Sequence, residues 1–176
     1  MAEKSAVQHL YVLVVTCVVL REDSKNGLQA LVLKRSETES EGPGLWTIPG
    51  GKVVEKDWGN PHLTQSSHTV WREVLRRAVL RELLEETGIE ASPEGLVYLQ
   101  GGDIVFKRRT GIPTLVVTFA HFFEGSPKEV RLDDSATAYA WVGEEELNEY
   151  PCIGDVTERI KETFFECAQV FATQRS

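Results

Sequence analysis

The feature that most constrains the fold is a charge-free run, LYVLVVTCVVL, from Leu10 to Leu20. The run is too short to cross a bilayer as a helix, because a spanning helix needs about 20 apolar residues. Its valines and Thr16 are β-branched and favour extended backbone. A strand that is apolar on both faces is buried on both faces. We therefore expect a central sheet strand that other elements cover on each side.

The rest of the chain carries both strand and helix patterns. The turn-forming segment DSKNG, residues 23–27, predicts a hairpin between the first strand and the apolar run 28–33. A helix is expected over about 70–87 with Gly88 as its C-terminal cap, and a second, amphipathic helix after Asp155. Further strands are predicted at 95–100, 104–107, 113–123 and 139–142.

This order of elements predicts an α+β fold with a mixed sheet. The length of 176 residues fits one domain, so we expect residues 1–176 to form a single unit. Residues 58–69 contain glycine, proline and small polar residues without a periodic pattern. This segment is therefore predicted to be a loop or an insertion.

Charge and cysteine content limit the partners and the location. The chain has 27 acidic and 19 basic residues, which gives a net charge of −8. Proteins that bind nucleic-acid polymers or anionic membranes normally carry a basic excess, so neither partner is expected. The three cysteines, Cys17, Cys152 and Cys167, fit neither a disulfide framework nor a zinc spacing. A reducing, cytoplasmic location is predicted.

One face of the predicted helix is acidic where it should be apolar. On a helical wheel, Glu82, Glu85 and Glu86 continue the inward-facing stripe that starts with Val74 and Ala78. Carboxylates three and four residues apart repel one another, and acidic residues near a helix C-terminus oppose the helix dipole. A hard divalent cation such as Mg²⁺ offsets both effects, because it binds oxygen ligands.

A second interpretation of the acidic cluster stays open at this point. Arg77, Arg81 and Glu85 have the i,i+4 spacing of ordinary solvent-exposed ion pairs. A glutamate-rich helix face is commonly no more than a solvated surface. Spacing alone therefore does not decide between a metal site and a charged surface.

The segment 81–89, RELLEETGI, resembles the second half of the Nudix box, G-x5-E-x7-R-E-U-x-E-E-x-G-U, where U is aliphatic. The segment 46–53, WTIPGGKV, is similar to the W-x-x-P-G-G-x-V stretch that normally opens the box. Residues 31–35 resemble the second strand of the family, and residues 141–147 resemble its W-V-x-x-E-E-L ending. The resemblance covers most of the chain.

The first half of the box departs from the family pattern. Ser67 stands six residues before Glu73, where the pattern has glycine, so the match requires an insertion between Gly51 and the helix. Glu73 is the first box glutamate if the insertion precedes it. Asp57, six residues after Gly51, takes that role if the insertion follows it. On the wheel Glu73 points away from the three helix glutamates, which weakens its case as a metal ligand.

The resemblance implies a Nudix hydrolase, with an α/β/α sandwich around a mixed sheet, that cleaves a phosphoanhydride bond in a nucleoside diphosphate linked to another moiety X. It implies Mg²⁺ or Mn²⁺ as the cofactor, held by Glu85, Glu86 and the backbone carbonyl of Gly50. Glu82 would be a further ligand or would position the attacking water. Arg81 would orient the glutamates through charge-assisted hydrogen bonds.

Family members often recruit one more acid from the loop before the last strand, where this chain has Glu129, Asp133 and Asp134. Two further residues are candidates for substrate binding. Arg35 would grip a phosphate, or would simply be solvated at its strand end. Trp46 would stack on a base, or would pack beneath the loop.

The substrate class is inferred from residues that the chain lacks. A proline or tyrosine that marks other Nudix subclasses is missing near residues 102–106. This favours a nucleoside triphosphate pyrophosphohydrolase of the MutT-like type. The alternatives are an ADP-ribose, nucleotide-sugar or dinucleotide pyrophosphatase, and a Nudix-like ligand-sensing module without turnover. The intact set of one arginine and three glutamates favours an enzyme, and a homodimer is left open.

Overall fold

The computed structural model describes residues 10–64, 66–107 and 111–174. The remaining positions of the predicted domain, and position 65 of the predicted insertion, lie outside the described residues. The strands are β1 (Val12–Asp23), β2 (Gly27–Arg35), β3 (Trp46–Thr47), β4 (Gly50–Lys52), β5 (His62–Leu63), β6 (Thr69–Val70), β7 (Leu96–Lys107), β8 (Pro113–Phe122) and β9 (Ala136–Val142). The helices are α1 (Val74–Thr87) and α2 (Val156–Gln174).

A mixed sheet organises the molecule, with strand β1 near its centre. Its order in the described residues is β3-β2-β1-β8-β7, while β4 also pairs with β1 and β9 also pairs with β2. The pairing of β1 with β8 is parallel, and the other pairings are antiparallel. The prediction of a central strand at the start of the chain is confirmed, because β1 has hydrogen-bonded neighbours on both sides and alternates between two buried faces.

Two hydrophobic cores lie on the two faces of this sheet. Val15, Cys17 and Val19 of β1 pack on the face that α1 covers with Ala78 and Leu83. The alternate residues of the same strand pack on the opposite face, which α2 covers with Ile160 and Phe164. The period of two along β1 separates these sets. The predicted α/β/α sandwich around a mixed sheet is therefore confirmed.

The predicted hairpin forms where DSKNG connects the first two strands. Asp23 accepts hydrogen bonds from the backbone N–H groups of Lys25 and Asn26 at 3.0 and 2.9 Å, and it pairs with Gly27 in the register. The predicted strands 95–100 and 104–107 are one strand, β7. A register shift between Tyr98 and Asp103 absorbs the interruption, so the chain bulges without leaving the sheet.

Helix α1 begins later than predicted, at Val74 instead of about residue 70. Glu73 adopts a left-handed conformation with φ of 56°, which is incompatible with continuing the helix backwards. The preceding Thr69–Val70 is strand β6, which pairs with β5 as a small hairpin. Trp58 and Trp71 close this hairpin at its base, with ring centroids 5.1 Å apart. Within the predicted insertion, residues 62–63 and 69–70 therefore form a paired hairpin.

The helices and the cysteines of the described residues relate to the predicted location. Among the described residues, no helix is long and apolar enough to cross a membrane. Cys17, Cys152 and Cys167 are all free, and Cys17 is fully buried in the sheet. The cytoplasmic location itself stays a prediction.

Candidate active site

Helix α1 carries the three predicted acidic residues on its last turns. It ends at Gly88, which has φ of 68° and donates its N–H to the carbonyl of Leu84 at 3.1 Å, as predicted for the cap. Glu82 is 9% exposed, whereas Glu85 is exposed and Glu86 is partly buried. The cluster therefore grades from a buried carboxylate to a solvated one within five residues.

Strand β4 brings a paired glycine turn against these carboxylates. The N–H of Gly50 donates to Oε2 of Glu86 at 2.8 Å. Gly50 has φ of 154°, and a Cβ there would overlap the backbone of Val15 and Thr16. A Cβ on Gly51 would overlap the Glu82 carboxylate. Gly50 requires glycine, because the backbone of β1 leaves no room for a side chain, whereas a Cβ at Gly51 would displace the Glu82 carboxylate.

Arg81 connects the acidic cluster to the segment before the insertion. Its Nε and Nη2 donate to the two oxygens of Asp57 at 2.7 and 2.9 Å, which is a bidentate pair. Its Nη1 donates to Glu82 at 2.5 Å and to Glu85 at 2.9 Å. Its Nη2 also reaches the carbonyl of Lys52 at 3.0 Å. One guanidinium thus fixes the relative positions of two α1 carboxylates and of the chain after β4.

Asp57, and not Glu73, partners Arg81 in the structure. Asp57 is 3% exposed and also accepts the backbone N–H of Val54 at 2.8 Å. Glu73 forms an ion pair with Arg76 at 3.1 Å, and its side chain is 65% exposed. Of the two candidates for the first box acid, the geometry favours Asp57.

The carboxylates have different proton affinities because their surroundings differ. Burial raises the pKa of Glu86 to about 8, with the negative charge of Glu82 adding to the effect. Burial also raises the pKa of Glu82, although Arg81 opposes that shift. The hydrogen bonds from Lys56 and then from Arg81 lower the pKa of Glu85. Ionisation of Glu82 and Glu86 is therefore unfavourable, because the neighbouring cationic side chains do not fully compensate for burial.

The pKa of Asp57 lies below its ordinary value. Burial alone would raise it, but the hydrogen bonds from Arg81 and from the Val54 N–H outweigh burial. Asp57 is therefore ionised at neutral pH, as the partner of a guanidinium must be.

Two cations contact the acidic cluster from the protein itself. Arg81 contacts Glu82 and Glu85, and Nζ of Lys56 contacts Oε1 of Glu85 at 2.8 Å. In the described part of the chain, no three His, Cys, Asp or Glu side chains form a ready-made metal site. Glu86, by contrast, has a backbone N–H as its hydrogen-bond donor.

A cleft of about 940 Å³ opens beside these carboxylates. Its floor is the α2-facing side of the sheet, and its walls are the loop after β2, the end of α1 and the start of α2. At the α1 end it is lined by Gly50, Gly51, Lys52, Lys56, Arg81, Glu82 and Glu86. The rest of the lining comes from strands β1, β7 and β8, with Val14, Thr16, Ile104, Phe106, Val116 and Thr118, and from the start of α2, with Asp155, Val156 and Arg159. One cavity therefore contains the acidic residues of α1, apolar and hydroxyl-bearing side chains of the sheet, and charged side chains of α2.

The structure places the two predicted substrate-binding residues, Arg35 and Trp46, in different surroundings. Arg35 lines the cleft, donates to the carbonyl of Glu41 at 2.7 Å and forms an ion pair with Glu39 at 2.6 Å. Trp46 packs edge-on against Tyr150 with ring centroids 4.9 Å apart, and both rings pack against the hydrophobic core on the α2 side of the sheet. This contact favours the packing alternative for Trp46, and its role in substrate binding stays a prediction.

The late-loop acids are spread over an exposed segment. Glu129 and Asp134 are exposed, and neither lies among the described residues that line the cleft. Asp133 is near enough for its negative charge to contribute to the raised pKa of Glu86. Its neighbour Ser135 lines the cleft and donates to Asp133 at 2.6 Å. Asp133 is therefore the acid of this loop that acts on the cluster.

The sequence did not indicate a site role for Lys56, and it suggested only an exposed ion pair for Arg77. Arg77 donates to the carbonyls of Asp57, at 2.7 Å, of Trp58, and of Arg72, at 2.5 Å, and so holds both ends of the inserted segment together. No motif position marks either residue. The one usable signal was that both flank a segment whose length departs from the box.

Comparisons with known proteins show the family of this chain. The family model of the NUDIX domain matches residues 10–161. A search among curated proteins finds no significant match.

Several solved structures share the fold. The NUDIX domain of Shewanella oneidensis NrtR, complexed with ADP ribose, has a TM-score of 0.70 at 17% identity, covering 95% of this chain and 99% of that chain. The MutT protein from Methanosarcina mazei Go1 has a TM-score of 0.61 at 24% identity, covering 92% and 97%. A bifunctional NMN adenylyltransferase/ADP ribose pyrophosphatase from Francisella tularensis, complexed with AMP and a Mn ion, has 0.60 at 22%, covering 92% and 43%. The sandwich, the box residues and the matched family model together place this chain in the NUDIX domain family, as a Nudix hydrolase.

Proposed function

We propose that this protein is a Mg²⁺- or Mn²⁺-dependent nucleoside triphosphate pyrophosphohydrolase that releases a nucleoside monophosphate and pyrophosphate. One observation carries the proposal. A single cleft holds two of the α1 carboxylates at one end and an apolar floor at the other, with Arg35 on its wall. A nucleotide has the same polarity, with charged phosphates at one end and a flat, largely apolar base at the other.

The residues at the α1 end fit a hard divalent cation. Glu82, Glu85, Glu86 and the carbonyl of Gly50 supply the oxygen donors that Mg²⁺ and Mn²⁺ prefer. Burial raises the pKa of Glu86 to about 8, so its carboxylate lacks a sufficient counter-charge. When bound, the cation would neutralise phosphate charge and lower the pKa of water.

Arg81 and Asp57 act as positioning residues in this proposal. The bidentate pair fixes the guanidinium, and the guanidinium in turn fixes Glu82 and Glu85. Glu82 is the best placed general base. Its pKa is raised by burial, and it lies at the cleft wall, where it can accept the proton of an attacking water.

Arg35 is proposed to bind a substrate phosphate. It lines the cleft, and its guanidinium already holds one carboxylate, that of Glu39, at 2.6 Å. A phosphate oxygen can replace the Glu39 oxygen with the same geometry, because guanidinium binds carboxylates and phosphates alike. The expectation of a small nucleotide as the partner rests on this arrangement.

An ADP-ribose pyrophosphatase is the second candidate. It is favoured by the likeness to the NrtR domain, which was solved with ADP ribose. A non-catalytic sensing role is the third candidate, because NrtR was also solved with a 27mer DNA. The absence of a nucleic-acid partner therefore stays a prediction.

A substrate panel with Mg²⁺ tests the proposal. Wild-type protein should release pyrophosphate from one or more (d)NTPs faster than phosphate or AMP from ADP-ribose, NADH and dinucleoside polyphosphates. The double variant Glu85→Gln, Glu86→Gln is the background control. Faster turnover of ADP-ribose would favour the second candidate. If no compound reacts above the double variant, the enzyme proposal is wrong.

A further inference from the structure

The α2 end of the cleft contains a buried cation that the chemistry at the α1 end does not use. Arg159 lines the cleft and is only 8% exposed. Its Nη1 donates to Glu162 at 2.9 Å, and its Nη2 lies 3.6 Å from Asp155 in an ion pair too long for a hydrogen bond. A guanidinium has five N–H donors, so several remain available to a ligand.

Two hydroxyls lie side by side on the sheet floor of the cleft. Thr16 of β1 and Thr118 of β8 are register partners, and their Oγ1 atoms share one hydrogen bond of 3.0 Å. That bond uses one hydroxyl proton of the two, which leaves the other available to a further acceptor. Thr118 is 3% exposed, so an unused hydroxyl there is costly unless a ligand satisfies it.

The charge at the α2 end argues against a phosphate. Arg159 stands between two carboxylates, Asp155 and Glu162, so the local charge is negative. A neutral ligand with hydrogen-bonding edges suits this environment better than an anion. Ile104, Phe106 and Val156 supply apolar contact surface for a flat ring.

On the basis of the proposed function, we infer that Arg159 and Asp155 read the base of the nucleotide, and that they select guanine. Guanine presents two adjacent acceptors, O6 and N7, which match the paired donors of an arginine. It also presents N–H donors at N1 and N2, which match the two oxygens of the Asp155 carboxylate. Adenine places an amino donor beside N7, where it opposes the guanidinium.

Arg159→Met tests this inference, because methionine keeps the apolar bulk of the side chain and removes its donors. We expect wild-type protein to have a higher kcat/KM for dGTP than for dATP. The variant should lower kcat/KM for dGTP about ten- to a hundredfold and change that for dATP less than about threefold. Arg159→Lys should retain part of the preference. Arg21→Met, at a comparably buried arginine outside the cleft lining of the described residues, should leave the ratio unchanged.

A binding measurement separates this inference from the proposed function. Calorimetric titration with dGMP and dAMP in the absence of metal requires no hydrolysis. Tighter binding of dGMP that disappears in Arg159→Met would support the inference even if no triphosphate is cleaved. Equal losses for guanine and adenine nucleotides, or a wild-type protein without guanine preference, would overturn it. The melting temperature of Arg159→Met identifies any loss that is due to unfolding.

Discussion

The α1 end of the cleft contains carboxyl groups whose ionised form is disfavoured by burial, whereas the α2 end leaves its carboxylates in solvent. At the α1 end, burial raises the pKa values of Glu82 and Glu86. At the α2 end, a buried arginine is flanked by Asp155 and Glu162, whose side chains are 44% and 61% exposed. The carboxylates at the α1 end require an added cation to ionise. The carboxylates at the α2 end are already solvated and, with Arg159, offer hydrogen bonds to a ligand.

This difference indicates how one acidic protein can accommodate a polyanion. The net charge of −8 opposes a phosphate chain at long range. The acidic groups nearest to a bound phosphate, however, lie on one face of α1 beside the glycine turn of β4. A divalent cation there would reverse the local sign and leave the α2 end unchanged. Substitutions at the two ends should therefore have different signatures.

The largest effect is expected from Glu86→Gln. Removing this buried carboxylate should lower kcat for the best nucleotide about 10²- to 10³-fold at saturating Mg²⁺, because a cation ligand is lost. Steady-state kinetics measures the change. Glu90→Gln, an exposed position just after α1, is the matched control and should retain wild-type activity. Comparable activity in both variants would contradict the assignment of Glu86.

The second largest effect is a loss of stability on substitution of Asp57, the buried partner of Arg81. Asp57→Asn should lower the free energy of unfolding by about 2–4 kcal/mol, because it leaves a partly buried guanidinium without its bidentate carboxylate. Glu73→Gln breaks only an exposed ion pair and should cost less than about 1 kcal/mol. Urea unfolding of both variants compares the two candidates for the first box acid. A larger loss for Glu73→Gln would assign that role to Glu73 after all.

The third effect is a pH dependence in metal-free protein. The pKa of Glu86 is raised to about 8 in the folded state, above its unfolded value near 4.5. The folded state therefore binds this proton more tightly, and stability should fall as pH rises from about 4.5 to about 8. The partly buried position limits the loss to the order of 2 kcal/mol.

Thermal unfolding in EDTA at several pH values measures this slope. Glu86→Gln should flatten it and should be more stable than the wild type at pH 8. Mg²⁺ should restore wild-type stability at that pH, because it binds only the folded state. A slope that is unchanged in Glu86→Gln would assign it to other groups.

The smallest effect is expected from Lys56→Met. Its ion pair with Glu85 is exposed on both sides, with side chains 60% and 46% exposed, so it contributes less than about 1 kcal/mol. Because Lys56 competes with a cation for Glu85, the variant should bind Mn²⁺ up to about fivefold more tightly. Lys25→Met in the β1–β2 turn should not change Mn²⁺ affinity. Weaker binding by Lys56→Met would reverse the proposed role of Lys56.

Much of the fold could be predicted from local sequence patterns. The charge-free run after Leu10 predicts the central strand, and Gly88 predicts the end of α1, because both signals act within a few residues. The start of α1 could not be read in the same way. Val70 and Trp71 continue the apolar pattern of the helix, but Thr69–Val70 pairs with β5 as a strand, and the left-handed backbone of Glu73 stops the helix from extending back to these residues.

The site was predictable where the motif is continuous and not where it is interrupted. Arg81 and the three glutamates occupy consecutive box positions on one helix. Asp57 lies 24 residues earlier along the chain, and its contact with Arg81 depends on how the insertion folds. The sequence does not determine the role of Trp46, because a tryptophan before a glycine turn can face either side of its strand, and its contact with Tyr150 depends on residues about 100 positions later in the chain.

The central claim is that the carboxylates of α1 form the cation site of the cleft. Titration of Mn²⁺ into metal-free protein, followed by electron paramagnetic resonance of the free ion, measures this without catalysis. Wild-type protein should bind Mn²⁺ at least about 100-fold more tightly than the Glu85→Gln, Glu86→Gln variant, since two charged oxygen ligands are lost. Equal affinity of a folded double variant would contradict the claim.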